Sequence, residues 1–221
     1  MKKIVIIAGI SMAFLAGCAT EGHKVVKTET VATHQTAYHG IKSNIAVGKF
    51  NNTSAYHNGV FFEGEDRLAS QSKTILITDL QQTGRFNVLD RANMQEIAAE
   101  AKLSGHKQHL QGATYVVTGN VTGFGRKTVG DKQLFGILGR GKEQVAYAEV
   151  TLNIVNVKTS QVVYSAQGAG EYSLANREVL GFGGTAGYDA TLNDKVLGLA
   201  IREAVNKLVD GIDAGYWKPT K

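Results

Sequence analysis

The run Val145-Ala-Tyr-Ala-Glu-Val-Thr-Leu-Asn-Ile-Val-Asn-Val157 sets Val150, Leu152 and Ile154 against Glu149, Thr151 and Asn153. That is the two-residue period of a strand with one buried face. The turn Lys158-Thr159-Ser160 then leads into Gln161-Val162-Val163-Tyr164-Ser165, so the two runs form a meander hairpin. Upstream, Asn44–Phe50 and Arg85–Leu89 alternate as short strands, and Ala113–Val121 is rich in β-branched residues. Three segments repeat instead at helical spacing. Glu65–Thr83 carries Leu68, Ser72, Ile75, Leu76 and Leu80 and is closed by Gly84. Arg91–Leu103 carries Met94, Ile97, Ala98 and Ala101, with Asp90 as its expected cap. Leu192–Ile212 repeats Leu192, Val196, Ala200, Ala204 and Leu208 every fourth residue. The order β-α-β-α-β-β-β-α predicts an α+β sandwich over about residues 43–217, with helices covering one face of a mixed sheet.

The amino-terminal end has a different character. Met1-Lys2-Lys3 precedes an apolar run from Ile4 to Leu15, too short for a lasting membrane span, followed by Leu15-Ala16-Gly17-Cys18. Cys18 is the single cysteine of the chain. This order resembles a bacterial lipobox, which implies a signal peptide over 1–17 and acylation of Cys18. Each buried methylene contributes about 0.8 kcal/mol, so several acyl chains suffice for stable anchoring. Ala19 in place of an aspartate favours, by resemblance to enteric sorting signals, the outer membrane with the domain facing the periplasm. Residues 18–42 are polar and rich in threonine and histidine, the composition of an extended tether, and 218–221 form a short tail. His23, His34 and His39, like His106 and His109, lack carboxylate or thiolate partners at ligand spacing, so neither a metal nor a cofactor is implied.

With one cysteine, no internal disulfide can form, and stability must come from packing. The net charge of +5, two of it in the leader, is too small and too dispersed to argue for nucleic acid. No Ser/His/Asp or Cys/His arrangement is visible, and Gly123-Phe124-Gly125 lies in a strand-like segment, not at the start of a helix. The chain reads as a non-enzymatic protein.

Two segments exceed what the domain needs, about 122–145 and 167–191, and both are glycine-rich. In the second, Leu180, Phe182, Ala186 and Tyr188 alternate with glycine or aspartate, the pattern of a lipid-facing barrel strand. Each segment has room for a hairpin, and open edges are not tolerated in hydrocarbon, so a membrane barrel would have to be shared by a ring of subunits. The alternative is a pair of long periplasmic loops. The segment Asn51–Gly64 is unusually aromatic for a loop, with Tyr56, Asn58, Phe61 and Phe62; the phenylalanines could equally pack on the helix that follows.

The lipobox, this aromatic loop, Phe86-Asn87-Val88-Leu89-Asp90-Arg91, Val155-Asn156-Val157-Lys158-Thr159 and above all Asp210-Gly211-Ile212-Asp213-Ala214-Gly215-Tyr216-Trp217 resemble the CsgG family of curli secretion channel lipoproteins. The resemblance implies an outer-membrane lipoprotein ring. Its αβ vestibule would carry a shared barrel of two hairpins per subunit, passing unfolded fibre subunits with the help of accessory envelope proteins. It further implies a constriction lined from Tyr56, Asn58, Phe61 and Phe62, and lipid-facing positions at Leu180, Phe182 and Tyr188. The chain departs from the family in its shorter hairpins and in ending at Lys221, soon after Trp217. The competing expectation is an outer-membrane-anchored periplasmic adaptor that binds or activates an envelope protein without forming a pore.

Overall fold

The computed structural model describes residues 28–56, 66–132, 140–178 and 191–220, with side chains at all of these except 128–132, 140–142, 174–178 and 191. The leader, Cys18, Asn58, Phe61, Phe62, Leu180, Phe182 and Tyr188 lie outside the described residues. The elements follow in the order β1 (Ser43–Asn52), α1 (Arg67–Gln82), β2 (Phe86–Leu89), α2 (Met94–Leu103), β3 (Tyr115–Lys132), β4 (Arg140–Asn156), β5 (Val162–Glu178) and α3 (Thr191–Asp213). The strands form one mixed sheet in the order β2-β1-β3-β4-β5. β1 runs parallel to β2 and to β3, whereas β3, β4 and β5 form an antiparallel meander. Parallel neighbours need a crossover, and α1 and α2 supply the two.

One face of the sheet is covered by α1 and α3. α1 starts where Asp66 Oδ1 accepts from the N–H groups of Leu68 and Ala69 at 3.0 and 3.1 Å, and ends ahead of Gly84, whose φ of +65° suits a residue without a Cβ. Its Leu76 and Leu80 are fully buried. The stripe Leu192, Val196, Ala200, Ala204 and Leu208 of α3 is likewise fully buried, against Ala148, Val150, Leu152 and Ile154 of β4. Each large side chain so covered stabilises the fold by about 1.5–3 kcal/mol. α3 lies unusually close to β5. A Cβ on Gly168 would sit 2.0 Å from the Ala200 carbonyl oxygen, and one on Gly170 would sit 2.8 Å from Leu199 Cβ. These two glycines of the second glycine-rich segment therefore serve helix packing.

The strands run further than their alternation suggests. β3, expected to end near Val121, continues to Lys132, and β5, expected to end at Ser165, continues to Glu178. The first glycine-rich segment is thus the outer part of a β3–β4 hairpin in unbroken register from Gly123↔Glu149 to Lys132↔Arg140.

α2 begins at Met94, not at Arg91, because Asp90 closes a turn ahead of the helix. Its Oδ1 accepts from the N–H groups of Ala92 and Asn93 at 2.9 and 3.2 Å, and its Oδ2 accepts from Asn93 Nδ2 at 2.6 Å. The Asn93 side chain foremost, with the Asn93 and Ala92 backbone, holds the Asp90 carboxyl below its ordinary range. The apolar stripe predicted for this helix is left largely uncovered by the described residues: α2 has no buried residue, and Ile97 is 40% exposed.

Residues 28–36 are docked rather than extended. Val31 enters the core at 2% exposure, Ala32 N–H donates to Asn206 Oδ1 at 3.0 Å, and Arg202 donates to Glu29.

Candidate functional site at the hairpin end of the sheet

The aromatic loop and the long hairpin leave the domain at the same end. Asn52, the last residue of β1, pairs with Val121 of β3, and Thr53 N–H donates to the Val121 carbonyl at 2.9 Å. The root of the loop is fixed by Asn52, whose Oδ1 accepts from the Ser54 N–H at 3.0 Å and the Ser54 hydroxyl at 2.6 Å, and whose Nδ2 donates to the Tyr56 carbonyl at 3.0 Å. The Tyr56 ring turns onto Phe124, centroid to centroid 4.8 Å at 57°. Its hydroxyl accepts from Asn193 Nδ2 at 3.2 Å, and Asn193 Oδ1 accepts from Arg126 Nε at 2.7 Å. Loop, hairpin base and first turn of α3 are thereby tied through one tyrosine.

Of the four predicted loop residues, then, Tyr56 is an anchor packed against the core, and the chain departs from it toward Asn58, Phe61 and Phe62. Its partners Phe124, Arg126 and Asn193 were not singled out by sequence. Phe124 carried a signal, as the aromatic between Gly123 and Gly125. Asn193 carried none, since its role depends on where α3 begins.

On either side of Phe124 the hairpin is built on cross-strand filling of glycines. A Cβ on Gly125 would lie 2.8 Å from the Tyr147 ring of β4, and one on Gly123 would lie 3.0 Å from the Glu149 carboxylate. Tyr147 is 39% exposed. On β5, Tyr172 carries Lys195 Nζ 5.0 Å from its ring centroid. Past Lys127, whose partner Val145 is buried, the strand runs on from Thr128 to Lys132, about 16 Å at the usual rise per residue.

The opposite end of the sheet is closed by the 210–217 run. Trp217 stacks on Phe86 and Tyr164 at 6.2 and 6.3 Å and meets Tyr115 edge-on at 5.6 Å. Its Nε1 donates to the Leu208 carbonyl at 3.4 Å. Gly215, at φ +76°, makes the reversal that brings the tryptophan back. The Arg85 guanidinium, buried beneath Tyr38, binds Asp213 Oδ2 at 3.2 Å and Thr36 Oγ1 at 2.9 Å. The run that resembles the family most closely is therefore a structural lock on the end of α3.

Among the described residues no group of three or more His, Cys, Asp or Glu could hold a metal ion, and His106 and His109 are exposed. No described helix is long and apolar enough to cross a membrane, which bears on helices alone. Among the described residues the one strongly displaced acid is Asp79 of α1. Burial pushes its carboxyl up to about 6 against the opposing pull of Arg202.

The chain is similar to several known proteins. A relative in Neisseria meningitidis serogroup B, with the provisional name lipoprotein NMB1126/NMB1164, is 62% identical over 207 residues, spanning 94% of this chain and 93% of its own. Among solved structures, the PelC dodecamer from Paraburkholderia phytofirmans is similar over 76% of this chain and 86% of its own, with 15% identity and a TM-score of 0.34. Lipoprotein GNA1162 from Neisseria meningitidis is similar over 76% of this chain and 99% of its own, with 13% identity and a TM-score of 0.38. The family model described as "Curli production assembly/transport component CsgG" matches residues 27–220, and the chain belongs to the CsgG family.

Proposed function

We propose that this protein is the subunit of an outer-membrane export ring. It is anchored through acylated Cys18, faces the periplasm with its αβ domain, and passes unfolded fibre subunits outward without enzymatic chemistry. The observation that carries this reading is the position of the long hairpin. β3 and β4 continue in register past the core directly beside the root of the aromatic loop at Tyr56. In this reading Asn58, Phe61 and Phe62, which follow Tyr56 in the chain, line one narrow passage through the ring. Aromatic and amide side chains there would engage a passing backbone by transient stacking and hydrogen bonding, with no single sequence held. Leu180, Phe182 and Tyr188 would face lipid on the second hairpin, and accessory envelope proteins would assist delivery.

A second reading is favoured by one feature of the first hairpin. Beyond the hairpin base, charged residues stand at an even position, Lys132, and at odd positions, Lys127 and Asp131, so the alternation of this arm leaves no series free of charge. A charge on the lipid face costs about 2–4 kcal/mol at the midplane. In this reading the ring stands under the membrane and only the apolar sequence Leu134-Phe135-Gly136-Ile137-Leu138 reaches it.

One experiment tests the anchor and a second decides between the readings. Fatty-acid labelling should mark the wild type and not Cys18→Ser; a labelled variant would remove Cys18 as the anchor. In planar bilayers the purified ring should give discrete conductance steps, changed in size by Phe61→Ala. A ring that binds vesicles without conductance would establish the second reading.

A further inference from the structure

The segment that precedes β1 is fastened to the domain largely through one cation. The Arg202 guanidinium of α3 donates to the Glu29 carboxylate and, through Nη2, to the Glu29 carbonyl at 3.0 Å. Val31 is buried in the core, and Ala32 N–H donates to Asn206 Oδ1 at 3.0 Å. Arg202, Asn206, Val209 and Asp213 fall at i, i+4, i+7 and i+11 and so share one side of α3. At the far end of that side Arg85 bonds Asp213 at 3.2 Å and holds Thr36 at 2.9 Å. The segment is not relaxed in this position. Its two short turns, His34 N–H to the Val31 carbonyl and Thr36 N–H to the Thr33 carbonyl, accompany a φ of +63° at Gln35, a left-handed conformation that a residue with a Cβ disfavours.

A second acid draws on the same cation. Asp79 of α1 is 4% exposed, and Arg202 is the charge that opposes the effect of its burial. Asp79 Oδ2 and Arg202 Nε are buried with no hydrogen-bond partner among the described residues, and so is Thr33 Oγ1 of the segment itself. The remaining charges brought to this side of the domain are Glu29 and the exposed His34 from the segment, Asp213 from α3 and Arg85 after α1. β1 and β2 contribute apolar side chains to the core they share with α1, among them Ile45, Val47 and Phe86. A neutral Asp79 leaves Arg202 to Glu29. Once ionised, a buried carboxylate must gain a cation or water. Turning Arg202 toward Asp79 supplies the cation at the expense of Glu29, and opening the segment admits the water.

We propose that residues 29–35 form a releasable strap, closed while the Asp79 carboxyl is neutral and opened as it ionises, with Thr36 as the hinge. The strap operates within one subunit and requires neither the ring nor the anchor. Where Cys18 is the anchor, opening frees residues 29–35 between lipid and domain and lengthens the reach by about 24 Å. Burial holds the carboxyl near 6 against an ordinary 3.8, so closure and proton binding favour each other. Closure is at full strength below about pH 4 and weakens as pH rises through 6. The same shift caps the change in closure between pH 5 and 7.5 at about tenfold.

The test is hydrogen exchange of the full-length, lipidated protein in mild detergent, read by mass spectrometry at pH 5 and 7.5 and corrected for intrinsic rates. Peptides that contain the Ala32 amide should lose about three- to tenfold of their protection at the higher pH, while β4 peptides around the fully buried Leu152 keep theirs. Asp79→Asn should hold the strap at its pH 5 protection at both values. Val31→Ser, which removes the apolar anchor instead, should leave the strap unprotected at both. His34→Gln, at an exposed position, should keep the wild-type response. Strap protection that does not change with pH in the wild type overturns the proposal, as does a response that persists in Asp79→Asn. Parallel loss of protection in β4 would make the opening global and overturn it too, and a response abolished by His34→Gln would transfer the switch to that histidine.

Discussion

Tyr164 of β5 lies across Gly211 of α3 so closely that a Cβ there would come within 2.4 Å of its ring. That contact lets Tyr164 reach Trp217, and with it the end of α3 is fastened to the sheet. Gly211→Ala should cost about 1–3 kcal/mol, the usual price of overpacking. At roughly 2–4 °C per kcal/mol for a domain of this size, thermal melting would show it clearly. Fluorescence of the only tryptophan should shift as well, because its packing is what gives way. An unchanged Tm would mean that the ring and the helix can separate freely.

Glycines of the two hairpin segments should not respond alike. At Gly168 the obstacle is the backbone of α3, so Gly168→Ala must push a helix off the sheet and is expected to cost more than about 2 kcal/mol. At Gly125 the obstacle is the exposed end of Tyr147, which can rotate away, so Gly125→Ala should cost less than about 1 kcal/mol. Denaturant midpoints of the two variants provide the comparison, and equal losses would contradict it.

Gly198 sits inside α3 with open space where a Cβ would go. Gly198→Ala should stabilise the chain by about 0.5–1 kcal/mol through helix propensity alone. A lower Tm would show that this surface is covered in the protein tested.

Asp79 makes stability depend on pH in a direction opposite to that of a salt-bridged acid. Its carboxyl titrates near 6 when folded against an ordinary 3.8, so the native state holds the proton more tightly than the unfolded chain. Stability contributed by this group is present below about pH 4 and is lost as pH rises toward and through 6. Its Oδ2 is buried without a hydrogen-bond partner, consistent with a cost in the charged form. Asp79→Asn should flatten the stability profile between pH 4 and 7 and raise the melting temperature at pH 7. A variant less stable at neutral pH would contradict burial as the dominant cause.

The order of elements was legible because α1 and α3 carry strong helical stripes and β4 alternates cleanly. The lengths of β3 and β5 were not, since their outer halves are held by cross-strand pairs such as Gly125 with Tyr147 that exist only once the register is known. Asp90 looked like a helix cap, but Asn93 competes for its carboxylate and delays the helix by a turn. Val31, one valine among polar residues, gave no hint that it enters the core. At the candidate site, the sequence marked the aromatic loop but not the inward turn of Tyr56, which depends on Asn193 arriving from α3.

The central claim, that this chain works as a ring, is tested most directly by the native mass of the full-length, lipidated protein extracted in mild detergent. The account predicts a single closed assembly of many subunits. A wild-type protein that stays monomeric or dimeric under the same conditions would contradict it.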